Sequence, residues 1–169
     1  MKRLLALAFL SILLTVVGTA QTSLRIGAQA PPFSASSVDG TTYDLNDLRG
    51  SVVVMTFWST KCEICRYEFP KVNQIVDKYS GRKVVFLALA MESEEKIAAY
   101  TQRNRLASPI LPNSFGIVLQ YADRTRDDRL DMGFPSFFVI DKDGLVQYRG
   151  SGLNRTNAID SMIDRLAAK

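Results

Sequence analysis

Two cysteines three positions apart, Cys62 and Cys65, carry the chemistry this chain is best equipped to do, and they are its only cysteines. They stand in Phe57-Trp58-Ser59-Thr60-Lys61-Cys62-Glu63-Ile64-Cys65. The β-branched run Val52-Val53-Val54 lies just before them and a helical pattern follows, so the pair falls at a strand-to-helix junction. Two thiols at that spacing on a helix start can close a reversible disulfide, which is the working part of thiol–disulfide exchange. An inert staple is a poor use of them, because closing so short a loop removes little entropy from the unfolded chain. The chain has no histidine. That excludes His-ligated zinc, a Cys/His copper centre and a Cys–His catalytic dyad. Arg66 follows Cys65, where covalent haem attachment needs histidine. One Cys-x-x-Cys is half of a four-cysteine metal site, so neither a metal nor another cofactor is expected.

The elements around the pair can be read from periodicity. Leu24 to Pro32 reads as an extended lead-in, and Asp39-Gly40 within Phe33 to Leu45 marks a hairpin. Val52 to Trp58 reads as a short apolar strand, covered on both faces by its pattern. Cys62 to Tyr79 is helical, with Ile64, Phe69, Val72, Ile75, Val76 and Tyr79 at helical spacing, and Pro70 predicts a kink. Lys83 to Ala90 is a second buried strand. Ser93 to Arg105 is a helix whose acids, Glu94 and Glu95, lie in its first turn and whose Arg103 and Arg105 lie in its last, matching the helix dipole. Ser108 to Gln120 supplies a short strand and a helix. Asp123 to Asp131 is a mixed charge run, expected to be a solvated surface segment. Ser136 to Asp141 and Leu145 to Arg149 form a hairpin through Lys142-Asp143-Gly144. A last helix, about Thr156 to Ala168, puts Ile159, Met162, Ile163 and Leu166 on one face. The expected class is α/β: a mixed central sheet flanked by helices.

The first twenty residues are read apart. Lys2 and Arg3 precede the apolar stretch Leu4 to Val17, and the small residues Gly18-Thr19-Ala20 follow. That order is a secretory signal at residues 1–20, with an uncleaved membrane anchor as the alternative, and it leaves one domain over 21–169. The chain counts 21 Lys+Arg against 17 Asp+Glu. Removing Lys2 and Arg3 leaves 19 against 17, a formal net of +2. So slight an excess gives no basic stripe, and no nucleic-acid partner is expected.

The chain resembles the TlpA/ResA-like thiol–disulfide oxidoreductases of the thioredoxin superfamily over about residues 24–168. The resemblance is carried by Gly27-Ala28-Gln29-Ala30-Pro31-Pro32-Phe33, Leu48-Arg49-Gly50, Phe57-Trp58 with Cys62-Glu63-Ile64-Cys65, Glu68-Phe69-Pro70, and Gly133-Phe134-Pro135-Ser136-Phe137-Phe138-Val139-Ile140-Asp141-Lys142-Asp143-Gly144. It implies a thioredoxin-like sheet with an N-terminal β-hairpin and a strand and helix inserted before a cis-proline, here within Ser93–Gln120. It implies Cys62 as an exposed nucleophile, Cys65 as the resolving thiol, and Glu68 as a buried carboxylate that tunes the pair and takes the resolving thiol's proton. It implies that Pro135 is cis and that the backbone of Phe134 pairs with a protein substrate. Trp58 and Phe134 are expected to line an apolar rim. The pattern also departs from thioredoxin. Lys61 replaces the tryptophan before the first cysteine, Ile64 replaces the proline between the cysteines, and Thr56 replaces the buried aspartate, leaving Glu68 to stand in for it.

The function this implies is reduction of protein disulfides in the periplasm or at the outer face of the cytoplasmic membrane, fed by a membrane electron donor, as in cytochrome c maturation. Three alternatives stay open. One is a disulfide oxidase or isomerase on the same fold. Another is a thiol peroxidase of peroxiredoxin type, for which Ser59 fits the nucleophile motif and Met55 does not. The last is a non-enzymatic binding module.

Overall fold

The computed structural model describes residues 24–168; the expected targeting segment lies outside them. A hairpin of β1 (Ser34–Ser36) and β2 (Thr42–Asp44) comes first. It turns at Asp39-Gly40 as expected: Gly40 takes φ +84°, and Asp39 Oδ1 accepts from Ser37 Oγ at 2.6 Å and Thr41 N at 2.9 Å. Then follow β3 (Val52–Trp58), α1 (Glu63–Lys78), β4 (Val84–Ala90), α2 (Glu94–Thr101), β5 (Ile110–Leu111), α3 (Phe115–Tyr121), β6 (Asp123–Arg124), β7 (Leu130–Asp131), β8 (Ser136–Ile140), β9 (Val146–Ser151) and α4 (Thr156–Ala167).

Five strands form the central sheet in the order β5-β4-β3-β8-β9. β3 pairs in parallel with β4 and antiparallel with β8, so the sheet is mixed. All seven residues of β3 are buried. A strand this apolar, with Thr56 its single polar residue, needs cover on both faces, and alternate residues of β3 supply the two cores. Val52 and Val54 join Val72, Ile75 and Tyr79 of α1 and Ile159, Ile163 and Leu166 of α4. Met55 and Phe57 join Ile117, Val118 and Tyr121 of α3 and the incoming Ala30, Phe33 and Leu45. α1 and α4 are also tied by polar contacts: the Tyr79 hydroxyl lies 2.8 Å from Asp160 Oδ1 and 2.7 Å from Asp164 Oδ1.

The remaining elements refine the expectations. α1 is one continuous helix from Glu63 to Lys78 with Pro70 inside it. Pro70 is exposed and has no N–H to give the carbonyl of Arg66 four residues back. α2 ends at Thr101, and Arg103 and Arg105 lie beyond it. The Thr101 hydroxyl donates back to the carbonyls of Ile97 (3.0 Å) and Ala98 (3.2 Å), which competes with continuing the helix. The charge run is largely exposed, as expected, and is also paired: β6 and β7 run across it, and Asp123 at its start bonds Arg149 of β9 at 2.5 Å. The lead-in turns at Ile26-Gly27, with Gly27 at φ +82°, before Gln29 bridges Leu145. Among the described residues no helix is long and apolar enough to cross a membrane.

Candidate active site

Three chain ends meet at one edge of the sheet. In register, Trp58 of β3 stands beside Ala90 of β4, and Phe57 stands beside Ser136 of β8. The segment leaving β3 (Ser59–Cys62), the segment leaving β4 (Met91–Ser93) and the segment entering β8 (Phe134–Pro135) therefore converge. The crevice outside the carboxyl ends of parallel strands is where α/β sheets place their ligands.

Cys62 is the N-cap of α1, with φ −90° and ψ 103°, and its Sγ accepts the backbone N–H of Cys65 at 3.1 Å. Sulfur thus takes the place that serine or aspartate usually fills at a helix start. Cys62 and Cys65 are joined as a disulfide with their Cα atoms 5.2 Å apart. Cys62 is half-buried rather than fully open, whereas Cys65 has no exposed surface. The cap geometry and the unpaired N–H groups of the first turn favour negative charge on Cys62.

Glu68 lies one turn beyond Cys65 on the same face of α1 and is also wholly buried. Its Oε1 accepts from Lys71 Nζ at 2.8 Å, and Lys71 reaches on to Asn154 Oδ1 at 3.1 Å. Its Oε2 is buried with no hydrogen-bond partner among the described residues. The free oxygen keeps its hydrogen-bond acceptor capacity toward the buried side of α1.

The Phe134–Pro135 bond is cis. Pro135 is buried and its carbonyl accepts from Gly152 N at 2.9 Å, which fixes the strand entry. Phe134 is half-buried and packs, like Cys62, against the cluster of Trp58, Cys65, Phe69 and Ile97. Trp58 does not line a rim. It is completely buried, packed edge-to-face against Phe69 (centroids 5.3 Å apart) and at a tilt against Tyr100 (5.4 Å). The reason is its place as the last residue of a strand covered on both faces. The exposed apolar surface beside the pair comes instead from Ile64 (40% exposed), Tyr67 (66%) and Leu153 (47%), which border an open depression of about 450 Å³.

Glu92 is a site residue that sequence reasoning missed. Its Oε1 accepts from Ser59 Oγ at 2.5 Å, Thr60 N at 3.0 Å and Thr60 Oγ1 at 3.2 Å. Ser59 in turn holds Cys62 N through its carbonyl at 3.1 Å. The carboxylate thereby pins the segment that delivers the cysteine. Burial raises its proton affinity, but the hydrogen bonds from Ser59 and Thr60 prevail and hold the carboxyl below its usual range. The one local signal was position: an acid just past the carboxyl end of a buried parallel strand. Among the described residues no group of three or more Cys, Asp or Glu side chains converges to hold a metal ion.

The model of the AhpC/TSA family matches residues 26–149. The thiol-disulfide oxidoreductase ResA of Geobacillus thermodenitrificans is 30% identical over 130 residues, covering 76% of this chain and 71% of that protein. Among solved structures, a thiol:disulfide interchange protein of the thioredoxin family from Chlorobium tepidum TLS has a TM-score of 0.71 at 24% identity, over 85% of this chain and 97% of that one. The pneumococcal exposed lipoprotein thioredoxin (Etrx1) from Streptococcus pneumoniae has a TM-score of 0.65 at 25% identity, over 80% of this chain and 100% of that one. The mixed sheet flanked by helices is the architecture these structures share with this chain.

Proposed function

Because the chain belongs to the AhpC/TSA family and is a thiol–disulfide oxidoreductase, we propose that it reduces protein disulfides outside the cytoplasm, with Cys62 as nucleophile and Cys65 as resolving thiol. The observation that carries this reading is the asymmetry of the pair: Cys62 caps α1 with part of its surface open, and Cys65 is sealed one turn inside. Only the first sulfur is reachable by a large substrate, and only the second is placed to attack it from within.

In the reduced protein the Cys62 thiolate attacks one sulfur of a substrate disulfide. A mixed disulfide forms, the substrate S–S bond breaks, and the departing sulfur takes a proton. Cys65 then gives its proton to Glu68 and attacks the Cys62 sulfur. The mixed disulfide breaks, and the second substrate sulfur leaves and is protonated. The substrate has gained two electrons from the cysteine pair and two protons, one released by Cys65 through Glu68 and one from solvent, and the protein is left as the Cys62–Cys65 disulfide. A dithiol donor must restore it, and the proposed donor is a membrane protein, as the family resemblance implies. The proposed seat for the substrate is the segment entering β8, where Phe134 packs against the same cluster as Cys62 and its bond to Pro135 is cis.

The direction of flow is read from charge. Glu63 in the first turn of α1 and the buried Glu68 add negative charge that opposes the cations Lys61 and Arg66 beside Cys62, which disfavours the very low thiol pKa of a strong oxidant. Location outside the cytoplasm rests on the charged, apolar, small-residue order of residues 1–20. The likeness to an exposed pneumococcal lipoprotein thioredoxin agrees with it.

The test is covalent trapping. Cys65→Ser should accumulate mixed disulfides with protein substrates, and Cys62→Ser should trap none. Equal inactivity of both variants with no adduct contradicts the assignment of roles.

A further inference from the structure

Next to Cys62 lies an open depression of about 490 Å³ whose lining includes Lys61, Arg66, Tyr100 and Arg103, with Glu63 as its one carboxylate. Lys61, Arg66 and Arg103 are exposed. None of them is in an ion pair among the described residues, although Lys71, Lys78, Arg124, Arg129 and Arg149 all are. Single unpaired surface cations are ordinary. Three that converge on one concavity with the reactive sulfur make a local field selective for negative charge. Glu92, the other carboxylate close to this segment, has Oε1 engaged by Ser59 and Thr60.

The apolar depression bordered by Ile64, Tyr67 and Leu153 shares Glu63 and Arg66 with the cationic one. A ligand filling both must cross the first turn of α1, past Cys62. An extended polypeptide has that reach, and a small disulfide does not.

We infer that the cationic depression seats an acidic stretch of the partner polypeptide beside the cysteine that exchanges with Cys62, its apolar residues falling on the Ile64–Tyr67–Leu153 side. The inference rests on the proposed exchange at Cys62 and names the substrate class for it. Complementary charge here acts on the encounter, so it governs the rate of exchange and weakens with salt.

The test uses three disulfide-looped peptides that differ only in the two residues flanking one cysteine, both Glu, both Gln or both Lys, with oxidised glutathione as a fourth substrate. Reduced protein is mixed with each at low and at high salt, and second-order rates are read. At low salt the acidic peptide should react about tenfold faster than the neutral one. The basic peptide should be slowest, and the spread should close at high salt. In the double variant Arg66→Glu, Arg103→Glu the order of acidic and basic peptides should reverse; the neutral peptide, measured in the same variant, normalises for any loss of folded protein. Equal rates for the three peptides, or an order that survives both salt and the variant, overturn the inference and leave the exchange reaction standing. Glutathione reacting faster than the acidic peptide overturns the polypeptide as occupant. Failure to reduce any of the four overturns the exchange reaction itself, and the inference with it.

Discussion

The buried carboxylate of Glu68 is met at 2.8 Å by the ammonium of Lys71, three residues along α1 and 36% exposed. A charge sealed in the core beneath the cysteine pair is thus held by a partner that faces water. Asn154 and the Tyr67 ring, 4.8 Å away, keep that partner in place. Removing Lys71 leaves the carboxylate with neither oxygen bonded by a side chain described here. Lys71→Met should therefore destabilise the oxidised protein by about 1–3 kcal/mol, read from urea unfolding. An unchanged midpoint would mean that water already satisfies Glu68.

Glu68→Gln keeps the shape of the side chain and removes the proton acceptor. The mixed disulfide formed at Cys62 should then resolve about a hundredfold more slowly, the usual worth of a positioned general base. The lifetime of the adduct, measured by acid quench and gel separation, checks this. A lifetime equal to that of the unsubstituted protein would remove Glu68 from the reaction.

Glu92 supplies a pH signature. Its folded carboxyl holds its proton less tightly than a free glutamate of 4.5, despite its burial, because Ser59 and Thr60 bond the charged form. A depressed folded value stabilises the protein above the unfolded value, and that stability is lost as pH falls through the folded one. The gap in unfolding free energy between the unsubstituted protein and Glu92→Gln should be full above about pH 4.5 and shrink below it. A gap independent of pH would show that the carboxylate charge adds nothing to the anchoring of Ser59–Cys62.

Trp58 is the only tryptophan and packs in the same buried cluster as Cys65. Its emission should rise when the disulfide is reduced, because the quenching S–S group is lost. Trp58→Ala should cost about 3–5 kcal/mol, the range for emptying an aromatic site in a core. Phe134→Ala, at a half-buried position, should cost less stability and should slow exchange with protein substrates. A Trp58→Ala protein as stable as its parent would contradict the placement of this side chain.

What the sequence disclosed and what it withheld divide along contact range. β3 was read to the residue, because six apolar residues around the single polar Thr56 leave a strand no exposed face. α1 came within one residue at each end, since its apolar spacing is local and its cap is the cysteine itself. The ends of α2 and the ribbon across Asp123–Asp131 depended on particular side-chain bonds, Thr101 to Ile97 and Asp123 to Arg149, that composition does not announce. Glu92 was invisible for the same reason. It reaches back 33 residues to Ser59, and nothing near it in sequence marks the contact. Trp58 was assigned to the surface by its nearness to the cysteines, and the continuity of the strand put it in the core instead.

The central claim is that Cys62 and Cys65 form a reducing pair. The reduction potential of that pair, measured by equilibration with a thiol–disulfide buffer followed by alkylation of free thiols, tests it most directly. The account predicts a value near or below about −270 mV, the range of thioredoxin. A value near about −120 mV, the range of a strong disulfide oxidant, would contradict it.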